Sequence, residues 1–376
     1  MRTGYKAVFA RGGTSKALIF HQADLPAERS RWDELFLACM GSPDPYGRQL
    51  DGMGGGVSSL SKVCIVGPAT RPDADVDYTF AQVQVKDARV DYSGNCGNMS
   101  SAIGPFAVDE GLVRADGETA VVRIHNTNTG KIIHASFPVA GGQSVERGEL
   151  VIPGVAGSGA PVRLDFLEPG GASTGKLLPS GRARDVLTVA GVGDVEVSLI
   201  DAANACVFVD AASLGLAGTE LPDELDARTD VLAKLAAIRE HASVAMGITA
   251  SLDEARRKPM IPLIAFVSAP TQSRLLDGST LPASAVDLTV RMISSGQPHR
   301  ALPVTGSLCT AVAAAIEGSL PHRLAQRAQA GTLRLGMPSG VICVDADVLH
   351  RPEGWYAVRG SFYRTTRRLF DGTVYG

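Results

Sequence analysis

Short apolar runs with strand spacing alternate along this chain with longer stretches of helical spacing. In the first half, runs of apolar residues bounded by turn-forming residues predict strands. These strands are predicted at residues 5–10, 17–20, 62–66, 78–85, 89–92, 120–125 and 131–137. Helical spacing predicts helices over residues 30–40 and 97–111, although Pro105 counts against a regular second helix.

The second half follows a segment at residues 153–185 that is rich in Gly, Pro and Ser, which we interpret as a connector. Helical spacing predicts helices over residues 226–246 and 307–316. Further strands are predicted at residues 186–189, 195–199, 206–209, 262–267, 286–293, 333–335, 341–344 and 356–366.

The two halves share one plan: strands, a turn of small residues with a cysteine, and an apolar helix. SGNC at residues 93–96 is echoed by TGSLC at residues 305–309. We interpret this similarity as an internal duplication that gives two domains, residues 1–185 and 186–376. The two helix N-termini are expected to face each other across a cleft, and ligand sites are frequent at domain interfaces.

Composition narrows the class of protein. A chain of 376 residues exceeds the roughly 250–300 residues at which one core stops growing, which favours two domains. The net charge of −3 argues against nucleic-acid binding, and no signal peptide or membrane-length apolar run is visible. The six cysteines form no C-x-x-C pair, so we expect reduced thiols in a cytoplasmic protein without disulfides, zinc or membrane contact.

Cys96 lies where the pattern changes from strand to helix, and its neighbours are Asn95, Gly97 and Asn98. Unpaired N–H groups at a helix N-terminus attract anions and stabilise a thiolate. Such a site binds a small carboxylate and can exchange a proton beside it. The alternative is a small buried core residue, but the polar and glycine neighbours favour the functional interpretation.

Lys62 follows a segment rich in Gly and Ser and begins the apolar run VCIV at residues 63–66. A lysine at the start of a buried strand is partly desolvated, and desolvation favours the neutral amine that can act as a base. A surface lysine whose stem packs on apolar residues is the common alternative. Taken alone, this signal is weak.

The loop RGGTSK at residues 11–16 has a superficial likeness to a phosphate-binding loop. A Walker loop needs G-x-x-x-x-G-K-[ST] followed by a helix, whereas the residues after this loop predict a strand. Nucleotide binding is therefore excluded. Thr14, Ser15 and Lys16 could still hold a carboxylate through hydroxyl, backbone and ammonium donors, with a plain hairpin turn as the alternative.

The second half offers weaker candidates. His299 could bind an anion or relay a proton, although a surface histidine is the slightly favoured alternative. Thr305, Gly306 and Ser307 form a small-residue helix start that suits an anion. Cys309 lies one turn further along and is expected to be packed rather than reactive.

Five motifs in order along the whole chain resemble the PrpF-type family of 2-methylaconitate cis–trans isomerases, 4-oxalomesaconate tautomerases and methylitaconate isomerases. They are RGGTSK at 11–16, GSPDPYGRQLDGMGG at 41–55, SKV at 61–63, SGNCGN at 93–98 and RRLFDGTVY at 367–375. The resemblance implies an α+β, diaminopimelate-epimerase-like fold. Each of two similar domains would wrap a mixed sheet around a central helix, and the last strand would return to the first domain.

The resemblance also implies a mechanism without cofactor or metal, in which Lys62 removes a proton next to a double bond and Cys96 lies opposite or assists. It implies further that the ligand is contacted by Ser15, Lys16, Asn95, Gly97, Asn98 and the turn 305–307. The segment GVSSLS at residues 56–61 has the Ser pair of the methylaconitate type, but its Val and Leu leave the exact substrate open. Thr305, Gly306 and Ser307 stand where two-thiol epimerases have a second cysteine.

These observations give three hypotheses. The leading one is a cofactor-independent isomerase of an unsaturated di- or tricarboxylate, with 2-methylaconitate as the favoured substrate. The second is 4-oxalomesaconate tautomerisation or methylitaconate isomerisation. The third is a non-catalytic accessory protein that serves an aconitase-like enzyme. The sequence leaves a homo-oligomer open.

Overall fold

The computed structural model describes residues 3–92, 95–294, 296–326 and 332–376. The chain forms two compact units, one of Met1–Asp165 with Tyr363–Gly376 and the other of Phe166–Phe362. The domain division between residues 185 and 186 stays a prediction. Among the described residues, no helix is both long and apolar enough to cross a membrane.

The elements of the first half begin with a hairpin and include two main helices. The helices are α1 (Trp32–Met40) and α2 (Gly97–Asp109). The strands are β1 (Gly4–Gly12), β2 (Ser15–His21), β3 (Lys62–Pro68), β4 (Val76–Val83), β5 (Val90–Asp91), β6 (Thr119–Asn126), β7 (Lys131–Ala140), β8 (Gln143–Ser144) and β9 (Val162–Leu167). The seven predicted strands and both predicted helices are confirmed, with shifted ends.

The sheet of the first unit is mixed. β1 pairs antiparallel with β2, β2 parallel with β3, β3 antiparallel with β4, β4 parallel with β6, and β6 antiparallel with β7. Because side chains alternate along a strand, each strand contributes to two faces. Leu18 and Val63 belong to the core on the α1 face, whereas Ile19 faces Phe106 of α2.

Helix α2 is the central helix of this unit. Every residue from 99 to 108 is buried, because strands pack around the helix. Gly104 permits the close approach: a Cβ there would lie 2.8 Å from the Cβ of Ala135. The helix continues through Pro105, the residue that counts against a regular helix in the sequence.

The second half contains more short elements than its pattern predicts. Its helices are α3 (Pro222–Asp226), α4 (Thr229–Ala245), α5 (Leu252–Arg257), α6 (Val304–Ala315) and α7 (Leu320–Leu324). Its strands are β10 (Asp185–Val189), β11 (Gly193–Ala202), β12 (Asn204–Asp210), β13 (Leu263–Ser268), β14 (Ser273–Arg274), β15 (Thr280–Leu281), β16 (Leu288–Ser294), β17 (Gln297–Pro298), β18 (Leu333–Met337), β19 (Gly340–Arg351) and β20 (Gly354–Arg364).

The second unit repeats the pairing order of the first. β11 pairs antiparallel with β12, β12 parallel with β13, β13 antiparallel with β16, β16 parallel with β18, and β18 antiparallel with β19. In this correspondence α4 takes the place of α1, and the buried α6 takes the place of α2. The predicted internal duplication is therefore confirmed.

The chain ends with β21 (Thr366–Tyr375), which pairs antiparallel with β1. The last strand thus belongs to the first unit, as the family resemblance implies. The sequence had placed one strand at residues 356–366, but a break at Thr365 separates β20 from β21.

Three other expectations need correction. The connector at residues 153–185 contains strand β9, whose alternating pattern was hidden among Gly and Pro residues. The helix predicted at 226–246 corresponds to α4 but starts only at Thr229, because Asp226 ends the separate short helix α3. The helix predicted from residue 307 begins at Val304, so residues 305–307 form its first turn rather than a loop before it.

Candidate functional site

The β1–β2 hairpin ends in a tight turn that lies against the start of α2. Gly13 has a φ of +53°, and its N–H donates to the carbonyl oxygen of Thr365 over 3.0 Å. Arg11 Nη1 donates to the carbonyls of Gly13 and Thr365 at 3.0 and 2.8 Å. A Cβ on Gly13 would lie 2.3 Å from Asn98 Oδ1, so only glycine allows this approach.

Helix α2 begins at Gly97, and Cys96 is the N-cap residue directly before it, with extended backbone angles (φ −108°, ψ 98°). The carbonyl oxygen of Cys96 accepts hydrogen bonds from Ser100 N and Ser100 Oγ at 2.9 and 3.1 Å. The side chain of Cys96 makes no capping hydrogen bond to this helix start. The first N–H groups of a helix attract anions, and an anion site at this helix start stays a prediction.

Asn98 links three segments at this helix start. Its Oδ1 accepts from Arg364 Nε at 3.0 Å, and its Nδ2 donates to Thr14 Oγ1 at 3.1 Å. Arg364 is only 8% exposed, and burial lowers its pKa to about 10, while the nearby Cys96 acts in the opposite direction. The guanidinium keeps its positive charge at neutral pH. A buried cation therefore accompanies the free N–H groups.

The side-chain amide of Asn128 hydrogen-bonds to backbone groups and so holds the segment that leads into α2. Asn128 accepts from Phe80 N at 2.8 Å and donates to Phe80 O and Tyr92 O at 2.9 and 2.8 Å. Asn95 Oδ1 accepts from Ser100 Oγ at 3.2 Å. Residues 93 and 94 of the predicted Ser-Gly-Asn turn lie outside the described residues. Asn95 and Gly97 are both partly exposed beside Cys96.

Lys62 is the first residue of β3 and is 7% exposed. Its Nζ donates to Gln82 Oε1 at 2.5 Å and lies 4.9 Å from the centroid of the Phe80 ring. Gln82 is held in turn, because its Nε2 donates to the carbonyls of Ser58 and Ser61 at 3.0 and 2.9 Å. Lys62 is thus an anchored interior lysine and not a surface lysine.

The glycine-rich loop before Lys62 folds around Gln49, which is 1% exposed. Gln49 Oε1 accepts from Gly56 N at 2.9 Å and from Ser61 Oγ at 2.6 Å. A Cβ on Gly54 would lie 2.3 Å from the Gln49 side chain. The glycines of this loop therefore serve close packing on a buried amide.

Strand register determines which predicted residues share a face. Lys62 is paired with Ala17, so both lie on the α2 face, together with the buried Ser15 two residues before Ala17. Lys16 alternates to the other face, where its Nζ lies 5.5 Å from the centroid of the Phe9 ring. The structure brings Thr14, Ser15 and Asn98 to the start of α2 but does not bring Lys16 there.

Two buried groups near Cys96, the thiol of Cys64 and the phenol of Tyr78, are uncharged. Cys64, two residues after Lys62, is buried with its Sγ 3.7 Å from Tyr78 Oη. Burial raises the pKa of both groups, and the nearby Cys96 adds to the effect. Both remain protonated, so neither supplies a thiolate or a phenolate base.

The second-unit candidates differ in accessibility. His299 has a buried Nε2 without a partner among the described residues, and burial lowers its pKa, so the ring is neutral at pH 7. Gly306 and Ser307 are buried, and Ser307 Oγ donates to Pro303 O at 3.0 Å. Thr305 is partly exposed. The roles of these residues stay predictions.

Cys309 is fully buried, and its Sγ donates to the Ile200 carbonyl over 3.5 Å, as expected of a packed residue. In the described part of the chain, no cluster of three or more His, Cys, Asp or Glu side chains is arranged to hold a metal ion. A cavity of about 790 Å³ in the second unit is lined by His322, Asp347 and apolar residues rather than by the predicted site residues.

Sequence reasoning did not identify Arg364 and Gln82. Arg364 lies just before the closing motif at residues 367–375. Gln82 lies in a strand that is predicted from its apolar residues alone. The spacing of Phe80 and Gln82, two residues apart on a strand paired with β3, was the available signal.

Comparison with known proteins bears on the identity of this site. The family model described as PrpF protein matches residues 3–376. The chain belongs to the PrpF family. It is 42% identical to 3-methylitaconate isomerase of Eubacterium barkeri over 98% of this chain and 96% of the relative. It is 37% identical to 2-methyl-aconitate isomerase of Shewanella oneidensis over the same shares of both chains, 98% and 96%.

A third PrpF-family relative, (4E)-oxalomesaconate Delta-isomerase of Novosphingobium, is 38% identical over 98% of this chain and 96% of the relative. The crystal structure of a methylitaconate-delta-isomerase superposes with a TM-score of 0.93 at 41% identity and covers 100% of this chain and 96% of that one.

A hydroxyproline epimerase from Agrobacterium vitis is 12% identical and superposes with a TM-score of 0.50, covering 100% of this chain and 94% of that one. At this identity the likeness concerns the fold alone. It confirms the expected α+β, diaminopimelate-epimerase-like fold.

Proposed function

We propose that this PrpF-family protein is a cofactor-independent isomerase that moves an allylic proton and the C=C bond of an unsaturated tricarboxylate, with 2-methylaconitate as the favoured substrate. The observation that carries the proposal is the placement of Lys62 on the sheet face that packs against α2, the helix whose N-cap residue is Cys96. Relatives named for one unsaturated dicarboxylate and two unsaturated tricarboxylates support the substrate class.

The chemistry requires a base and a site that tolerates growing negative charge. The neutral amine of Lys62 takes the allylic proton and becomes an ammonium, and the electron pair left on carbon delocalises into a dienolate. Preorganised donors stabilise such a charge better than water does, because they need no reorganisation. The N–H groups at the start of α2 are suitable donors, and the buried guanidinium of Arg364 adds a positive charge near them.

Return of the proton completes the reaction. Delivery to the other end of the allylic system shifts the double bond, and delivery after rotation about the former C=C bond exchanges cis and trans isomers. Cys96 would donate this proton or only orient a carboxylate. Thr14, Ser15, Asn95, Gly97 and Asn98 would contact the substrate around the start of α2.

The test of the base is turnover of 2-methylaconitate and trans-aconitate by purified Lys62→Ala and Lys62→Met. We expect both variants to lose at least about 100-fold in kcat, the lower range for a general base. Full activity in both would exclude Lys62 as the base.

Isotope transfer tests the role of Cys96. With substrate deuterated at the allylic carbon, a single lysine base returns part of the label to product, since an ammonium mixes one deuteron with two protons. If the thiol delivers the second proton, product carries only solvent hydrogen, and Cys96→Ser restores label return. Equal label return by wild type and Cys96→Ser would assign Cys96 an orienting role.

The alternatives are separated by substrate and by exchange. A panel of 2-methylaconitate, 3-methylitaconate and 4-oxalomesaconate ranks the activities suggested by the relatives' names. An accessory protein of an aconitase-like enzyme would bind these acids without exchanging their allylic protons with deuterated water. A cytoplasmic location remains a prediction from the sequence.

A further inference from the structure

Two side chains of β4 contact the amine of Lys62, and we propose that they aim its lone pair at the substrate. Gln82 Oε1 lies 2.5 Å from Nζ, and the centroid of the Phe80 ring lies 4.9 Å from it. A neutral amine has two N–H donors and one lone pair. With one N–H on the amide oxygen and the other toward the ring, the lone pair takes the remaining direction. This inference rests on Lys62 being the base.

The orientation of the Gln82 amide is fixed by its own contacts. Its Nε2 donates to the carbonyls of Ser58 and Ser61, so the amide oxygen must be the end that faces Lys62. Ser61 directly precedes Lys62, and therefore one side chain holds both the amine and the backbone that carries it. A base held in one orientation reacts faster than a mobile one, because the reaction requires aligned atoms.

The amide is also chemically suited to this position. A carboxylate at residue 82 would accept the same hydrogen bond but would hold Lys62 as an ammonium, which cannot remove a proton. The neutral oxygen of Gln82 orients the amine with a smaller preference for the charged form. Gln82 is thus a positioning residue that leaves the amine available as a base.

Phe80 has a different effect on the same atom. It is 5% exposed and pairs with Cys64 across the strands, so its ring is fixed beside the amine. The face of an aromatic ring attracts a cation, and this attraction helps Lys62 to hold the proton it has just accepted. Removal of the ring should therefore favour the neutral amine.

The experiment compares kcat/KM against pH for Gln82→Glu and Phe80→Leu, with Gln143→Glu as the control. Gln143 is exposed on β8, and Gln143→Glu makes the same change of charge as Gln82→Glu. We expect Gln82→Glu to move the acid limb about 1–3 pH units higher, so that kcat at pH 7 falls about tenfold or more while KM changes less than about threefold. Phe80→Leu should move the limb to lower pH, and the control should match wild type.

Opposite shifts in the two variants are not expected from loosened packing, which would lower activity without moving the limb. The inference is overturned if both variants fold, as judged by circular dichroism and thermal unfolding, and keep the wild-type limb while Lys62→Ala loses turnover. If Gln82→Glu does not fold, Phe80→Leu decides by the same criterion. Full turnover by Lys62→Ala would instead overturn the assignment of the base itself.

Discussion

Replacement of Asn98 by alanine tests the architecture of the α2 start. The change removes one acceptor from the guanidinium of Arg364, which is 8% exposed, and one donor to Thr14. A hydrogen bond to a charged group contributes about 1.5–3 kcal/mol, and the more exposed bond to Thr14 adds about 0.5 kcal/mol. We therefore expect a loss of about 2–3.5 kcal/mol in the free energy of unfolding.

The assay is urea unfolding followed by two spectroscopic probes, with exposed Gln143→Ala as the control. Asn98→Asp provides the matched comparison, because a carboxylate keeps the acceptor for Arg364 but places negative charge where a substrate carboxylate is proposed to bind. We expect Asn98→Asp to retain stability within about 1 kcal/mol and to raise KM at least about tenfold. A loss below about 0.5 kcal/mol for Asn98→Ala, or an unchanged KM for Asn98→Asp, would refute this reasoning.

Three further predictions concern stability. Gly13→Ala should lower the melting temperature more than Gly142→Ala, because both have positive φ but only the Gly13 Cβ meets a neighbour; equal losses would contradict the clash. Burial lowers the pKa of His299, so the stability of the protein should rise with pH up to about 6.5 and then level off. His299→Gln should flatten this rise, as measured by thermal scans at about pH 5.5 and 7.5. Burial alone would raise the pKa of Glu110, but hydrogen bonds from Arg368 and His21 outweigh it and lower that pKa. Glu110→Gln should therefore destabilise the protein at pH 7, and its difference from wild type should shrink as the pH falls below about 4.5.

The main strands and buried helices could be predicted because each has a regular apolar pattern and clear turn signals. Helix α2 is the instructive case: the apolar spacing located it correctly even though Pro105 argued against it. Packing on all sides of the helix compensates for the backbone hydrogen bond that Pro105 cannot donate. The short elements, such as β8 and α7, have too few residues to give a periodic signal.

The site was only partly predictable, for a geometric reason. Cys96 and Asn98 could be predicted to lie at the start of a helix, because a helix start is visible in the local sequence. Arg364 reaches the same place through the pairing of β21 with β1, a contact between opposite ends of the chain that no local pattern contains. Lys16 shows the converse, since adjacency in sequence to Ser15 places it on the other face of the sheet.

The internal duplication clarifies why a lysine is the proposed base. The two units share one order of strand pairing, and α6 corresponds to α2. The residue before α2 is Cys96, whereas the residue before α6 is Pro303, which has no group to transfer a proton. Cys309 does not replace it, because its buried thiol bonds to the Ile200 carbonyl. A mechanism with two equivalent thiols therefore lacks its second partner. The first unit instead places an anchored amine, Lys62, on the sheet face covered by α2. One such base can remove and return a proton on the same face of a planar dienolate, which suffices to move a double bond without inverting a stereocentre.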